Sequence, residues 1–161
     1  MLTPNPILET IFGVVWLTLV ILIHGVGIQK INREFARVWA DVTVRTEHWK
    51  VNVVLALVIA SLTFLHLIET IFWGLPIYAL NLVPNWADSY YYVLENYTTL
   101  GAGDIRLPEK WRLMGPIIAI SGLFTFGWTT GILVSTMSEL TQLNKKRSKK
   151  GINDQDPSKP S

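Results

Sequence analysis

The chain has 161 residues, half of them hydrophobic, with 14 Lys and Arg against 12 Asp and Glu for a formal net charge of +2. Its apolar residues gather in unbroken runs rather than in the periodic pattern of a soluble core, which makes it an integral membrane protein. The absence of cysteine excludes disulfides, thiolate metal ligands and a Cys nucleophile. With no nucleophile triad and no His-Glu-x-x-His helix either, the chain reads as a protein other than an enzyme.

The first apolar run, Ile7 to Ile28, carries no acid or base after Glu9 except His24. About 22 residues at about 1.5 Å each span about 33 Å, enough to cross hydrocarbon. It lacks the preceding basic residues and the small-residue cleavage pattern of a signal peptide, so residues 1–28 are read as a retained transmembrane helix. Residues 29–50 follow as a connector. There Ile31, Phe35, Val38, Trp39 and Val42 recur at helical spacing, with Lys30, Arg33, Glu34, Arg37 and Asp41 mostly on the other side. That pattern predicts an amphipathic helix on the cytoplasmic membrane surface, acting as an anchor or as a coupling element between the first span and a gate.

Val51 to Trp73 forms a second crossing and Leu113 to Met137 a third. Between them, Trp86 to Thr98 is compatible with a helix, with Asn85 and Asp88 as candidate N-caps. About 13 residues reach only about 20 Å against a hydrocarbon core of about 30 Å, so this helix dips in and returns. The returning backbone must be buried in protein or line a water-filled path. In Thr98-Thr99-Leu100-Gly101-Ala102-Gly103-Asp104, glycines at alternate positions permit angles that turn successive carbonyls the same way, and a line of such oxygens can replace the water shell of a cation.

This segment resembles the Thr-Thr-Val-Gly-Tyr-Gly-Asp filter of the potassium-channel pore domain. The resemblance covers outer span, pore helix, filter and inner span, roughly Val51 to Met137, and extends to small bacterial ion channels with one extra span before the pore module. It implies an all-α membrane protein: three transmembrane helices with a re-entrant pore helix and filter loop, the pore module occupying residues 51–138. It further implies cation coordination by the Thr99 hydroxyl and the carbonyls of Thr99, Leu100, Gly101 and Ala102, a turn to the outer mouth at Gly103, and a brace at Asp104. The departure is Ala102, where the family carries an aromatic ring that packs on the pore helix and sets the diameter of the carbonyl ring. Alanine keeps the carbonyl and removes the strut. Unless Tyr90, Tyr91 or Tyr92 fills the space, sodium is expected to pass along with potassium.

His66 and Glu69 sit one turn apart in the second span, where ionisable groups carry a functional expectation. They are expected to support the filter from behind by pairing with each other or with the pore helix, a proton sensor being the sharper alternative. His24 and His66 are expected at depths that differ by about 15 Å, too far for one shared metal. No metal or cofactor is expected beyond the permeant potassium or other monovalent cation. In the third span Gly122, Gly127 and Gly131 are read either as a gating hinge or as points of close helix approach.

Basic residues concentrate on two segments, Lys30 to Lys50 and Lys145 to Lys150, while Arg106, Lys110 and Arg112 share the stretch between the second and third spans with Asp88, Glu95, Asp104 and Glu109; this puts both basic segments in the cytoplasm and the N-terminus outside. Residues 139–161 read as a disordered basic cytoplasmic tail, with the Lys-Lys-Arg-Ser-Lys-Lys run a candidate for anionic lipid headgroups. One pore loop cannot close a ring, so the filter reading demands a homotetramer. The expected protein is thus a multi-pass channel of the plasma membrane, the bacterial inner membrane, with lipid but no nucleic acid as partner. The rival reading is a non-conducting pore-like subunit of a larger membrane complex.

Overall fold

A computed structural model describes residues 6–40, 42, 46–101 and 103–154. Among these residues the chain is helical: α1 (Pro6–Ala40), α2 (His48–Ala79), the short α3 (Trp86–Tyr97), a single 3₁₀ turn (Glu109–Trp111) and α4 (Met114–Asp154). Three helices are long and apolar enough to cross a membrane, and at most 28% of any of their central windows is buried within the chain. The remaining apolar surface, including Leu57, Phe64 and Leu123, each more than 60% exposed, faces lipid or other subunits. A water-soluble fold could not leave so much of it open.

Residue pairs fix the directions. Trp16 stacks on Phe72, His24 meets Glu69 and Gly27 meets Leu65, so α1 and α2 run antiparallel. Glu9 meets Leu113, Gly25 meets Trp128, and α4 therefore runs parallel to α1. The short α3 lies between α2 and α4 and packs on both. One core surrounds it, built from Val20, Trp73, Ile77, Tyr92, Val93, Tyr97, Met114 and Ile118. A second, at the other end of the long helices, joins Ile28, Val58, Leu62 and Leu65.

Two boundaries differ from the sequence reading. The expected surface connector at 29–50 does not break away: α1 continues unbroken to Ala40, and Ile31 and Phe35 pack against the second core beside Ile132 and Leu133. Its apolar face is taken by α2 and α4, with no Gly or Pro between residues 28 and 40 to stop the helix. Asp41 and Arg45, also assigned to the connector, lie outside the described residues. Likewise the tail expected to be disordered from residue 139 is helical through Asp154. Glu139, Leu140, Gln142, Leu143 and Lys145 are strong helix formers, and a span already nucleated extends through them one hydrogen bond at a time. Residues 155–161 of that tail lie outside the described residues.

Polar side chains satisfy the backbone where helices are interrupted. Pro76 sits inside α2 and has no N–H, so the carbonyl four residues earlier, that of Phe72, has lost its intrahelical donor. The indole Nε1 of Trp16 on α1 donates to that oxygen at 3.2 Å. At the start of α4 the N–H groups of Leu113 and Met114 have no partners in their own helix. Both donate to Oε1 of Glu9, which is 4% exposed.

Replacing Trp16 by Phe should therefore cost about 1–3 kcal/mol, because a carbonyl is left unsatisfied in an apolar setting. Thermal unfolding in detergent should show this loss in the natural chain and only a small fraction of it in the Pro76→Ala background, where the helix supplies its own N–H.

Candidate functional site

The short helix α3 is opened by Asn85, whose side-chain oxygen accepts from the N–H of Asp88 at 2.8 Å. Asn85 is therefore the cap, and Asp88 the first-turn acid that complements the helix dipole. Twelve residues give about 18 Å, too little to cross. The helix ends at Tyr97, and the chain turns back at once. Thr98 N–H and Oγ1 both donate to the Leu94 carbonyl, and the N–H groups of Leu100 and Gly101 both donate to that of Glu95, at 2.8 and 3.2 Å. With the bond from Thr99 N–H to the Asn96 carbonyl, these occupy the Leu94, Glu95 and Asn96 carbonyls at the helix end.

Beyond them the backbone alternates. Thr99, Gly101 and Gly103 all have positive φ, at 60°, 58° and 80°, while Leu100 between them does not. Glycine adopts this region freely; for Thr99 it carries a strain of about 1–2 kcal/mol. Thr99, Leu100, Gly101, Gly103 and Asp104 are all exposed in the single chain, Leu100 at 71%. Ala102 lies outside the described residues. Behind the loop is a cavity of about 270 Å³ lined by Tyr92, Glu95, Gly101, Gly103, Arg106 and Arg112 among others. Of the three tyrosines available to fill such a space, Tyr90 stacks on Trp86, Tyr91 is exposed, and Tyr92 forms part of the cavity wall.

The C-terminal end of α3 is tied to α2 and α4 through one hydroxyl, and through Glu69 to α1. Tyr97 is fully buried, and its OH donates to Glu69 Oε2 at 2.5 Å. The same oxygen lies 2.6 Å from Thr125 Oγ1 on α4 and 3.0 Å from His66 Nδ1 on α2. Glu69, also fully buried, holds His24 Nδ1 on α1 through its other oxygen at 2.7 Å. His66 Nε2 reaches Thr129 Oγ1 at 3.0 Å. The sequence reading placed His66 and Glu69 near the pore helix, and here the partner is Tyr97 at its last residue.

One expectation is overturned. His24 and His66 do not sit at different depths: their rings are 5.4 Å apart. The discrepancy arises because α2 continues past Trp73 to Ala79, which lowers His66 by two more turns relative to the outer end. Sequence reading also missed Tyr97, Thr125 and Thr129 as members of the network. A signal existed in the spacing of Ser121, Thr125 and Thr129, four residues apart along α4 and all buried, a hydroxyl stripe on one helix face.

The three glycines of α4 separate. A Cβ on Gly122 would stand 1.9 Å from the carbonyl oxygen of Tyr97, whereas Gly127 and Gly131 face open space. Gly122 lets the third span touch the end of α3.

The family described as Ion channel matches residues 53–139, which contain α3, the loop and most of α4. Comparisons with curated proteins and with solved structures find no match.

Two substitutions probe the junction. Tyr97→Phe strips the shared hydroxyl and should lower stability by about 1–3 kcal/mol, while Thr125→Val, which leaves the bond to Glu69 intact, should lower it far less by the same thermal assay. Gly122→Ala forces two backbones apart and should cost about 1–3 kcal/mol, with size-exclusion profiles showing loss of the folded species.

Proposed function

The chain belongs to the potassium-channel-like ion-channel family, and from that membership we propose that it is a homotetrameric channel for potassium or, less selectively, for monovalent cations. The observation that carries this reading is the alternation of positive φ at Thr99, Gly101 and Gly103, directly after a helix too short to cross the membrane. Right- and left-handed angles in alternation turn successive peptide oxygens to one side. Four such loops around an axis form a cage in which carbonyls of Thr99, Leu100, Gly101 and Ala102, with the Thr99 hydroxyl, replace the hydration shell of a cation.

The surroundings favour positive ions. The C-terminal end of α3 directs a partial negative charge toward the membrane centre, and Asp104 stands exposed at the outer mouth. Exposure of Leu100 and of the outward faces of Gly127 and Gly131 accords with contacts to neighbouring copies and with a water-filled cavity lined by α4. Gly127 and Gly131, free of contacts that a bend would break, are the hinge positions; Gly122 packs instead. Ala102 supplies a carbonyl without an aromatic strut, and the cavity behind the loop accords with a filter of looser diameter.

The ends of α1 and α4 that carry Lys30, Arg33, Arg37 and Lys145 to Lys149 lie on one side of the bundle, as does Lys50 at the start of α2. The positive-inside rule then puts that side in the cytoplasm and the N-terminus outside, in the plasma membrane of a bacterium. Anionic lipid headgroups are the partner of the basic end of α4. The permeant ion is the only ligand conduction needs, and the protein acts as a channel rather than an enzyme.

Ion flux into liposomes tests this reading. The purified protein should pass potassium and sodium with little preference, and Ala102→Tyr should raise the potassium preference tenfold or more, about 1.4 kcal/mol. Absence of flux in both would move the chain to the non-conducting reading, and equal selectivity in both would remove the strut account.

A further inference from the structure

We propose that His24, His66 and Glu69 form a binding site for one divalent transition-metal ion, zinc above all, where α1, α2 and the end of α3 meet. Each residue offers one ligand atom, and the three atoms lie within 4.8 Å of one another. The site is independent of the conduction reading, since it requires only the helix packing.

The geometry is within reach of a first coordination shell. Zinc bonds of about 2.0–2.2 Å in a tetrahedron set neighbouring ligand atoms about 3.3 Å apart. Glu69 stands 2.7 Å from His24 Nδ1 through Oε1 and 3.5 Å from His66 Nδ1 through Oε2, so a small turn of the carboxylate brings one oxygen to that spacing from both rings. Two imidazoles and one carboxylate make a donor set suited to zinc or ferrous iron with a position left open, and unsuited to magnesium or calcium, which take oxygen ligands.

The surrounding bonds fit a second shell. With Glu69 Oε1 on the metal, Oε2 keeps its bond from Tyr97; with His66 Nδ1 on the metal, Nε2 keeps Thr129 and the metal takes the place of the Nδ1 contact with the Tyr97 hydroxyl. Such outer partners orient the ligands. With His24 Nδ1 on the metal the ring proton sits on Nε2, which has no hydrogen-bond partner among the described residues, so no existing bond has to break for the ring to take that tautomer. The charge balance points the same way. Glu69 is fully buried, and among the described residues its ion-pair partners are His24 and His66, with no Lys or Arg. A divalent cation supplies a fixed counter-charge where an isolated carboxylate is costly. Access runs past His66, whose side chain is 10% exposed against 0% for the other two ligands.

The test uses the purified, metal-stripped full chain without an affinity tag. Equilibrium dialysis against zinc chloride should give one ion per chain, and cobalt(II) chloride should give the visible absorption of a low-coordinate site. His24→Gln and Glu69→Gln, each checked by size exclusion for an unchanged elution volume, should weaken zinc binding tenfold or more and abolish the cobalt band, while His48→Ala leaves both intact. Should a glutamine variant fail to fold, His66→Gln serves in its place. No stoichiometric zinc, or binding equal in the natural chain and in every folded variant of the three, overturns the proposal.

Discussion

The carboxylate of Glu69 holds the molecule together at one point. It sits fully buried in α2, takes a bond from Tyr97 at the end of α3 and faces His24 on α1, while Tyr97 passes the connection to Thr125 on α4. A carboxylate at membrane depth costs about 2.5–3.5 kcal/mol, and bonds to a charged group return about 1.5–3 kcal/mol each. Two such bonds offset the burial, and both vanish if the helices separate. The network thus fixes the position of the last residue of α3, and the loop with positive φ at alternate positions follows directly.

The same logic governs the rest of the bundle. Lipid tails are as apolar as leucine, so helices in a membrane gain little from the hydrophobic effect on meeting; close packing and interhelical hydrogen bonds decide their arrangement. Here the bonds are placed where the backbone is deficient. Trp16 covers the Phe72 carbonyl orphaned by Pro76, and Glu9 covers the first N–H groups of α4. Both come from α1, the span that precedes the pore module. Far from being an appended anchor, α1 completes the hydrogen bonding of both helices that flank α3. Its length to Ala40 carries this contact down to the second core, beside Ile132 on the inner helix.

A segment with three alternate positive φ values, one of them at a threonine, would be a liability on a free surface. Anchored by Glu95 carbonyl bonds on one side and followed by the packed Ile105 and Leu107 on the other, it is held in a geometry that a single chain has no use for. The described residues of this loop remain exposed in the single chain.

The three crossings, the short helix between the second and third, its Asn85 cap and the glycine alternation after it were all legible in the sequence. Length against bilayer thickness, local capping chemistry and the glycine pattern are properties of neighbouring residues, and no tertiary information is needed to read them. The convergence of His24 on His66 was not legible, because depth depends on where α2 ends, and Ala79 rather than Trp73 is set by packing against α3 and α4. The role of Tyr97 was hidden for the same reason: a tyrosine closing an apolar helix looks like core until the helices that surround it are known. Nor could the sequence separate Gly122 from Gly127 and Gly131, since identical residues on one helix differ only in what faces them. Sequence thus determined which segments cross, dip and turn, through interactions a few residues long. Tertiary structure alone decided which polar groups meet, because hydrogen bonds between helices depend on sub-ångström placement that only the packed bundle fixes.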